Sequence, residues 1–587
     1  MGRNLFFASA GAVLEAVDAS VDDALIAAWR TRIDRAAARL GWSNCQAVAR
    51  RHTSGASLAI AAPFDQLFLA TEVNEWALCA ALVERDPVRW SGLQGALVAQ
   101  ALEAAENPAN PAAIIQPVIE ESAAFARFER LSSLESHPKL RALLDAAAAR
   151  GLPHVADESE LTLGAGVSGR NFSLTALPDV ADVPWQDLRD IPTAIVTGSN
   201  GKTTTVRLLA ACARAHGWHA GYNCTDGVFL NDEVLAKGDY SGPAGARMVM
   251  RERRTQAAIL ETARGGILRR GIAVSQATTA VITNVSSDHF GEYGIHDLAG
   301  LAEVKLAVAA AVSASGLLVL NADDSQLSAQ AERLVQRFGR RPPLGWFAVK
   351  PDQETLRIHR LRGASTCGVL EGRLQLSHGG AEHDLGLISA MPLSMGGIAA
   401  YNVANMAGAA LAAAALGIAP TTIAAVLGRF GSSITDNPGR LMRFVVGGVK
   451  VLVDYAHNPD GLRSFLTVAD HLRSGTGRLG LLLGHAGNRK DADIEELAQV
   501  AAEFQPELVV VKEDEEHLRG RAPGEIPRII RVELKRLGFE DSALPLANSE
   551  VEAARYALDW ARPGDVLALP VHSSRARAAV VAMLENR

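Results

Sequence analysis

A chain of 587 residues allows three or four domains, each with its own core. Its 48% hydrophobic and 21% charged residues exclude a disordered chain and fit a soluble α/β protein. A formal net charge of −7 is small for this length and makes no case for nucleic acid or an anionic membrane as a partner. Cys45, Cys79, Cys212, Cys224 and Cys367 form no C-x-x-C pair, which argues against a disulfide framework or a thiolate zinc site. No run of about 18 uncharged apolar residues occurs and the N-terminus lacks a long apolar segment, so a cytoplasmic protein is expected.

In chain order, residues 1–165 read as a mixed α/β N-terminal domain, and the Gly-, Ser- and Pro-containing stretch 166–190 reads as a linker. Short apolar runs then alternate with Ala/Leu-rich helical patterns, as βαβ units with a mostly parallel buried sheet require. The runs Thr193–Thr197, Ala257–Leu260, Ala280–Thr283 and Leu317–Leu320 place a central domain at 191–436. A second series, Val449–Val453, Leu479–Leu483, Leu508–Val511 and Val566–Leu569, places a C-terminal domain at 437–587, beginning at the turn Asn437-Pro438-Gly439. Between Gly345 and Pro392 helical patterns stop and glycine-interrupted alternation predicts a small β insertion.

The sharpest signal is Ile195-Val196-Thr197-Gly198-Ser199-Asn200-Gly201-Lys202-Thr203-Thr204, an apolar strand running through a glycine turn into a helix. Gly198 and Gly201 let backbone N–H groups converge on a phosphate at the positive end of that helix, Lys202 adds a charge for the β- and γ-phosphates, and Thr203 offers a hydroxyl to Mg²⁺. Val196 stands where a strict Walker A has its first glycine. The competing reading is a glycine turn without a ligand. Glu261 and the segment Asn284 to His289 follow the next strands, at the end of a parallel sheet where ligands bind. Alone, either would read as a surface polar residue.

The string Thr197 to Thr204 resembles the P-loop of the Mur ligase family, which shares the departure from Walker A, and Asp454-Tyr455-Ala456-His457-Asn458-Pro459 resembles its C-terminal motif. Within that family the cyanophycin synthetases are most similar, on Thr225-Asp226-Gly227, Lys237 to Pro243, Leu260 to Gly271, Thr283 to His289, Asn321 to Asp324, Asn437 to Arg440 and Val511 to Asp514. The likeness covers about 400 residues from Asp190 onward. It implies a P-loop central ATPase domain with a parallel sheet and a Rossmann-like C-terminal domain. Cyanophycin synthetases also carry an ATP-grasp domain ahead of the Mur half, and here the segment Leu161 to Phe172 leads to the P-loop within about 25 residues.

The resemblance implies ATP-dependent amide formation: an acceptor carboxylate attacks the γ-phosphate, and the amine of an amino acid displaces the acyl-phosphate. The expected ATP contacts are Gly198, Ser199, Asn200, Gly201, Lys202, Thr203, Thr204, Asn284, Asn402, Arg440, Asp454 and His457. Mg²⁺ is assigned to Thr203, Glu261 and His289, and catalysis to Lys202, Glu261, His289, Lys305 and Arg440. Lys305 falls where many Mur ligases carry a carbamylated lysine; an exposed helix lysine is the alternative. Tyr401 replaces the histidine of the family's H-N-x-x-N motif. Glu513 to Glu516 offer acids for a cationic, arginine-like amino acid, with a solvated charge run equally open, and His572 reads as structural. The expected partners are that amino acid and a carboxylate-bearing peptide or polymer, with a separate cyanophycin-type synthetase and a homo-oligomer as further options. Peptidoglycan-precursor ligation, folylpolyglutamate synthesis and a nucleotide-binding scaffold are the competing functions.

Overall fold

The computed structural model describes residues 4–18, 20–90, 119–287, 290–339, 342–350, 353–473, 475–487, 489–513 and 518–587. Near the N-terminus the strands Gly11–Ala16, Ala47–His52 and Gly55–Ala61 form an antiparallel sheet with Gly55–Ala61 in the middle. Helices Asp23–Leu40, Leu67–Arg85 and Glu121–Glu135 complete a core around Trp29, Trp76 and Phe128. Asp22 caps the first helix by accepting from the Leu25 N–H, and Gly41 ends it in the left-handed region. The indole N–H of Trp29 donates to Asn74 Oδ1 at 2.9 Å, so the buried tryptophan leaves no polar atom unmet.

The stretch expected as a linker is packed instead. Arg170–Ser173 joins His154–Ala156 and Glu160–Leu163 in a three-stranded sheet, and Leu177, Val183 and Leu188 close on helix Pro138–Ala149. Arg251 pairs with Asp157, and the Val167 N–H donates to the Thr255 carbonyl at 2.8 Å, fastening this unit to the central domain.

The central sheet has eleven strands, in the spatial order Glu233–Lys237, Gly227–Leu230, Ala220–Cys224, Ala257–Glu261, Thr193–Thr197, Ala277–Ile282, Val312–Asn321, Leu344–Ala348, Thr366–Leu370, Arg373–His378, Ala381–Leu387. From Ala220–Cys224 to Thr366–Leu370 neighbours run parallel, and both ends finish in antiparallel hairpins. The middle strands are buried on both faces, which explains their unbroken Val/Ile/Leu runs. Residues 345–392 thus extend the main sheet rather than forming an insertion, and they include the helix Glu354–Leu361, whose Leu356 reaches the core. Helices Lys202–Ala215 and Ala400–Ala415 pack on one face, where small alanines permit close approach.

The C-terminal sheet orders Met442–Val446, Val449–Asp454, Val566–Pro570, Leu479–Leu483, Leu508–Lys512 and Leu546–Ala547, parallel except for the first pair. Helices cover both faces, giving two separate cores. No described helix is long and apolar enough to cross a membrane.

Candidate active site

A cavity of about 1030 Å³ opens at the carboxyl ends of the central strands and is walled by all three units. The phosphate turn lies in it. Gly198 and Gly201 have φ of 151° and 81°, and a Cβ would collide with Thr283 at the first and Asn405 Oδ1 at the second. The turn is clamped by its neighbour strand end: Asn200 N donates to Asn284 Oδ1 at 2.9 Å, Asn284 Nδ2 donates to the Asn200 carbonyl at 3.1 Å, and Thr283 Oγ1 donates to that carbonyl at 2.6 Å. Asn284 therefore shapes the turn. The Ser199 side chain exchanges 3.0 Å bonds with the backbone of Ser286. Lys202 Nζ folds back onto the Ser199 carbonyl at 2.9 Å.

Glu261, the last residue of its strand, is fully buried, and the Thr203 hydroxyl donates to its Oε2 at 2.9 Å. Burial raises this carboxyl above the ordinary range, opposed by Lys202, the Thr203 hydrogen bond and Arg440. Arg440 arrives from the C-terminal domain, stacks its guanidinium 4.4 Å over the Tyr455 ring, and reaches Thr203 Oγ1 at 3.4 Å. Burial likewise raises Asp454, with Arg440 opposing, and its Oδ2 accepts from the Leu441 N–H at 2.7 Å.

Lys305, at the end of helix Leu298–Lys305, is buried at 3% exposure and lines the cavity, which removes the exposed-lysine alternative. Asn402 is buried in the same lining, donating to the Leu393 carbonyl at 3.2 Å and accepting from Asn405. The Tyr401 hydroxyl is buried with no hydrogen-bond partner among the described residues, and burial pushes it well above the usual phenol range. His457 Nδ1 lies 3.2 Å from the Tyr455 carbonyl, at the cavity edge. His289 lies outside the described residues.

The acids Glu513 to Glu516 do not form the expected cation site as far as they are described. Lys512 before them is buried and paired with Glu550, Glu513 accepts from the Gly524 N–H, and residues 514–516 fall outside the described set. The C-terminal wall instead presents His485, Arg489, Arg519 and Asp460. His572 also lines the cavity; its Nε2 is 3.0 Å from the Ala456 carbonyl, and burial holds its pKa low. Glu15, Glu292 and Tyr293 line the cavity too, and nothing in their sequence context singles them out.

Domain contact is direct. Asn200 and Asn458 exchange two side-chain amide hydrogen bonds, 2.9 and 3.2 Å, between the turn and the N-cap of helix Pro459–Leu472. Asp226 is shared between Arg207 at 2.6 Å and Arg577 of the last helix. Arg207 also donates to the Pro438 carbonyl at 2.7 Å, so the Asn437-Pro438-Gly439 turn is held on the central domain.

A nucleotide-type turn at the sheet's carboxyl end, closed over by a second α/β domain, defines a two-domain P-loop architecture. Residues 196–413 match the Mur ligase middle domain and residues 439–569 the Mur ligase, glutamate ligase domain. The chain belongs to the Mur ligase family. It is 36% identical over 389 residues to a cyanophycin synthetase of Trichormus variabilis, covering 66% of this chain and 42% of that protein. The chain thus spans less than half of that relative's length. It is 31% identical over 328 residues to a UDP-N-acetylmuramoyl-L-alanyl-D-glutamate–2,6-diaminopimelate ligase of Xanthomonas campestris, covering 54% of this chain and 61% of the relative. Escherichia coli FolC in complex with DHPP and ADP shares the fold, with a TM-score of 0.50 and 18% identity over 68% of this chain and 89% of that one.

Proposed function

We propose that this chain is an ATP-dependent ligase that joins a carboxylate of an aspartate-containing peptide or polymer to the amine of an amino acid through an acyl-phosphate. The observation that carries the reading is the convergence of the phosphate turn, the buried Thr203–Glu261 pair and Arg440 with Asp454 on one cavity. A nucleotide fits the residues present: the two glycines leave the turn open to phosphate, and the Tyr401 hydroxyl lacks a partner among the described residues.

Lys202, Arg440 and the turn's N–H groups would neutralise the phosphoryl group as an acceptor oxygen attacks phosphorus and ADP leaves. The amine then attacks the acyl carbon and expels phosphate. Thr203 and Glu261 are hard oxygen donors suited to Mg²⁺. Mg²⁺ there would offset phosphate charge. Lys305, Asn284, Asn402, Asp454 and His457 would position the substrates, and His289 is assigned to metal by resemblance alone. Arg489 and Arg519 suit the incoming amino acid's carboxylate, and Asp460 stands on the same wall as an acid.

The reading is tested by incubating the protein and MgATP with an amino-acid panel and aspartyl-arginine, cyanophycin fragments or oligo-aspartate. A product whose mass equals acceptor plus amino acid less water, absent with Lys202→Ala, is expected. Phosphate release independent of both organic substrates would refute it.

A further inference from the structure

Glu15 belongs to the N-terminal sheet, yet its side chain lines the cavity that contains the phosphate turn. It faces Ser57 across the strand pair; the Ser57 hydroxyl donates to Glu15 Oε2 at 3.0 Å, and His52 Nε2 lies 3.4 Å from the same oxygen. Among the described residues both contacts fall on Oε2, which leaves Oε1 its lone pairs for a ligand.

The sheet is fixed to the cavity wall. The His52 imidazole fills the space a Cβ would need at Gly294, where φ is 66°. Ser54 Oγ lies 3.2 Å from His296 Nε2. Arg50 donates to the Gly294 carbonyl at 3.2 Å and faces Glu303 at 3.7 Å, and its charge also acts on Glu15. The gripped segment carries Glu292 and Tyr293, which line the cavity, and leads into the helix ending at Lys305.

Arg264, Arg269 and Lys305 line this side together with Glu15, Asp239 and Glu292. Glu292 is paired with Arg264, and Asp239 spends Oδ1 on the N–H and hydroxyl of Ser241. Glu15 is the carboxylate that the N-terminal sheet brings to this lining. We propose that Glu15 is a specificity-determining residue of the acceptor site, receiving a guanidinium or ammonium group that the acceptor carries beside the carboxylate to be activated. This rests on the ligase reading above. It makes the N-terminal unit part of the binding site.

The test uses the full chain, wild type beside Glu15→Gln and Glu15→Asp, with aspartyl-arginine and aspartyl-citrulline dipeptides, which are near-isosteric and differ in charge. Acceptor kcat/KM is measured by phosphate release, and binding by calorimetry with a non-hydrolysable ATP analogue. Wild type is expected to favour the arginine dipeptide about tenfold, Glu15→Asp to keep part of that preference, and Glu15→Gln to bring the ratio near one with the KM for ATP unchanged. A purely structural Glu15 would not move the ratio. Turnover with no charge preference in wild type, or with the preference intact in Glu15→Gln, overturns the assignment and leaves the ligase reading standing. Wild type that neither binds nor turns over either dipeptide overturns the acceptor class and the Glu15 assignment with it.

Discussion

At Gly201 the turn has φ of 81°, and Asn405 Oδ1 stands where a Cβ would go. Gly201→Ala is therefore expected to cost about 1–3 kcal/mol, read from thermal or urea unfolding, and to weaken nucleotide binding. Lys202→Ala removes a charge that has no second source in the turn, and should lower kcat by about 10²–10³ with the circular dichroism spectrum unchanged. The Tyr401 hydroxyl is buried without a partner among the described residues. If a nucleotide supplies that partner, Tyr401→Phe raises the KM for ATP about five- to tenfold and leaves kcat nearly constant; an unaltered KM would remove Tyr401 from the nucleotide site. Gly201 and Lys202 were legible because chemistry dictates their spacing, glycines where backbone must approach phosphate and a lysine and a threonine opening the helix, whereas Tyr401 was read only as a replacement for the family's histidine. Glu15 was not legible, since a single acid in a strand has the same local pattern whether it faces solvent or a site built by distant residues.

Between elements, the junction is held by side chains on both of its edges. Burial pushes the Asp226 carboxyl up, but Arg440, Arg207 and Arg577 together pull it further down, and the net lies below its ordinary 3.8. A depressed carboxyl contributes stability that is complete above its unfolded value and is lost as pH falls through the folded one. The difference in melting temperature between wild type and Asp226→Asn should thus be constant from about pH 5 to 8 and shrink below about 4. A difference that grew on acidification would contradict this. Asn458→Ala removes the amide pair with Asn200, and kcat should fall about tenfold with less effect on the KM for ATP, because closure of the C-terminal domain is what the pair holds. Strand runs such as Thr193–Thr197 and Leu479–Leu483 were readable to the residue, since strands buried on both faces allow no polar interruption. Residues 345–392 were not, because at a sheet's edge one exposed face restores the glycine-broken alternation typical of a free β unit. The helix Glu354–Leu361 escaped notice for a related reason: in two turns only Leu356 is buried, too little for a 3.6-residue period to show.

Across the whole molecule, three units meet on one cavity, and each brings charged side chains to it. The central domain brings phosphate-binding and carboxylate groups, the C-terminal domain arginines and histidines, and the N-terminal sheet an acid. The two-domain architecture was legible in the motifs at strand ends, which follow from where parallel sheets bind ligands. The packing of residues 166–190 was not, since Leu177, Val183 and Leu188 are too widely spaced to show either regular period. The central claim is that the acceptor is activated as an acyl-phosphate, and ¹⁸O transfer tests it most directly. With the acceptor carboxylate labelled in both oxygens, the account predicts one ¹⁸O in the released phosphate for each amide formed; phosphate free of label would contradict it.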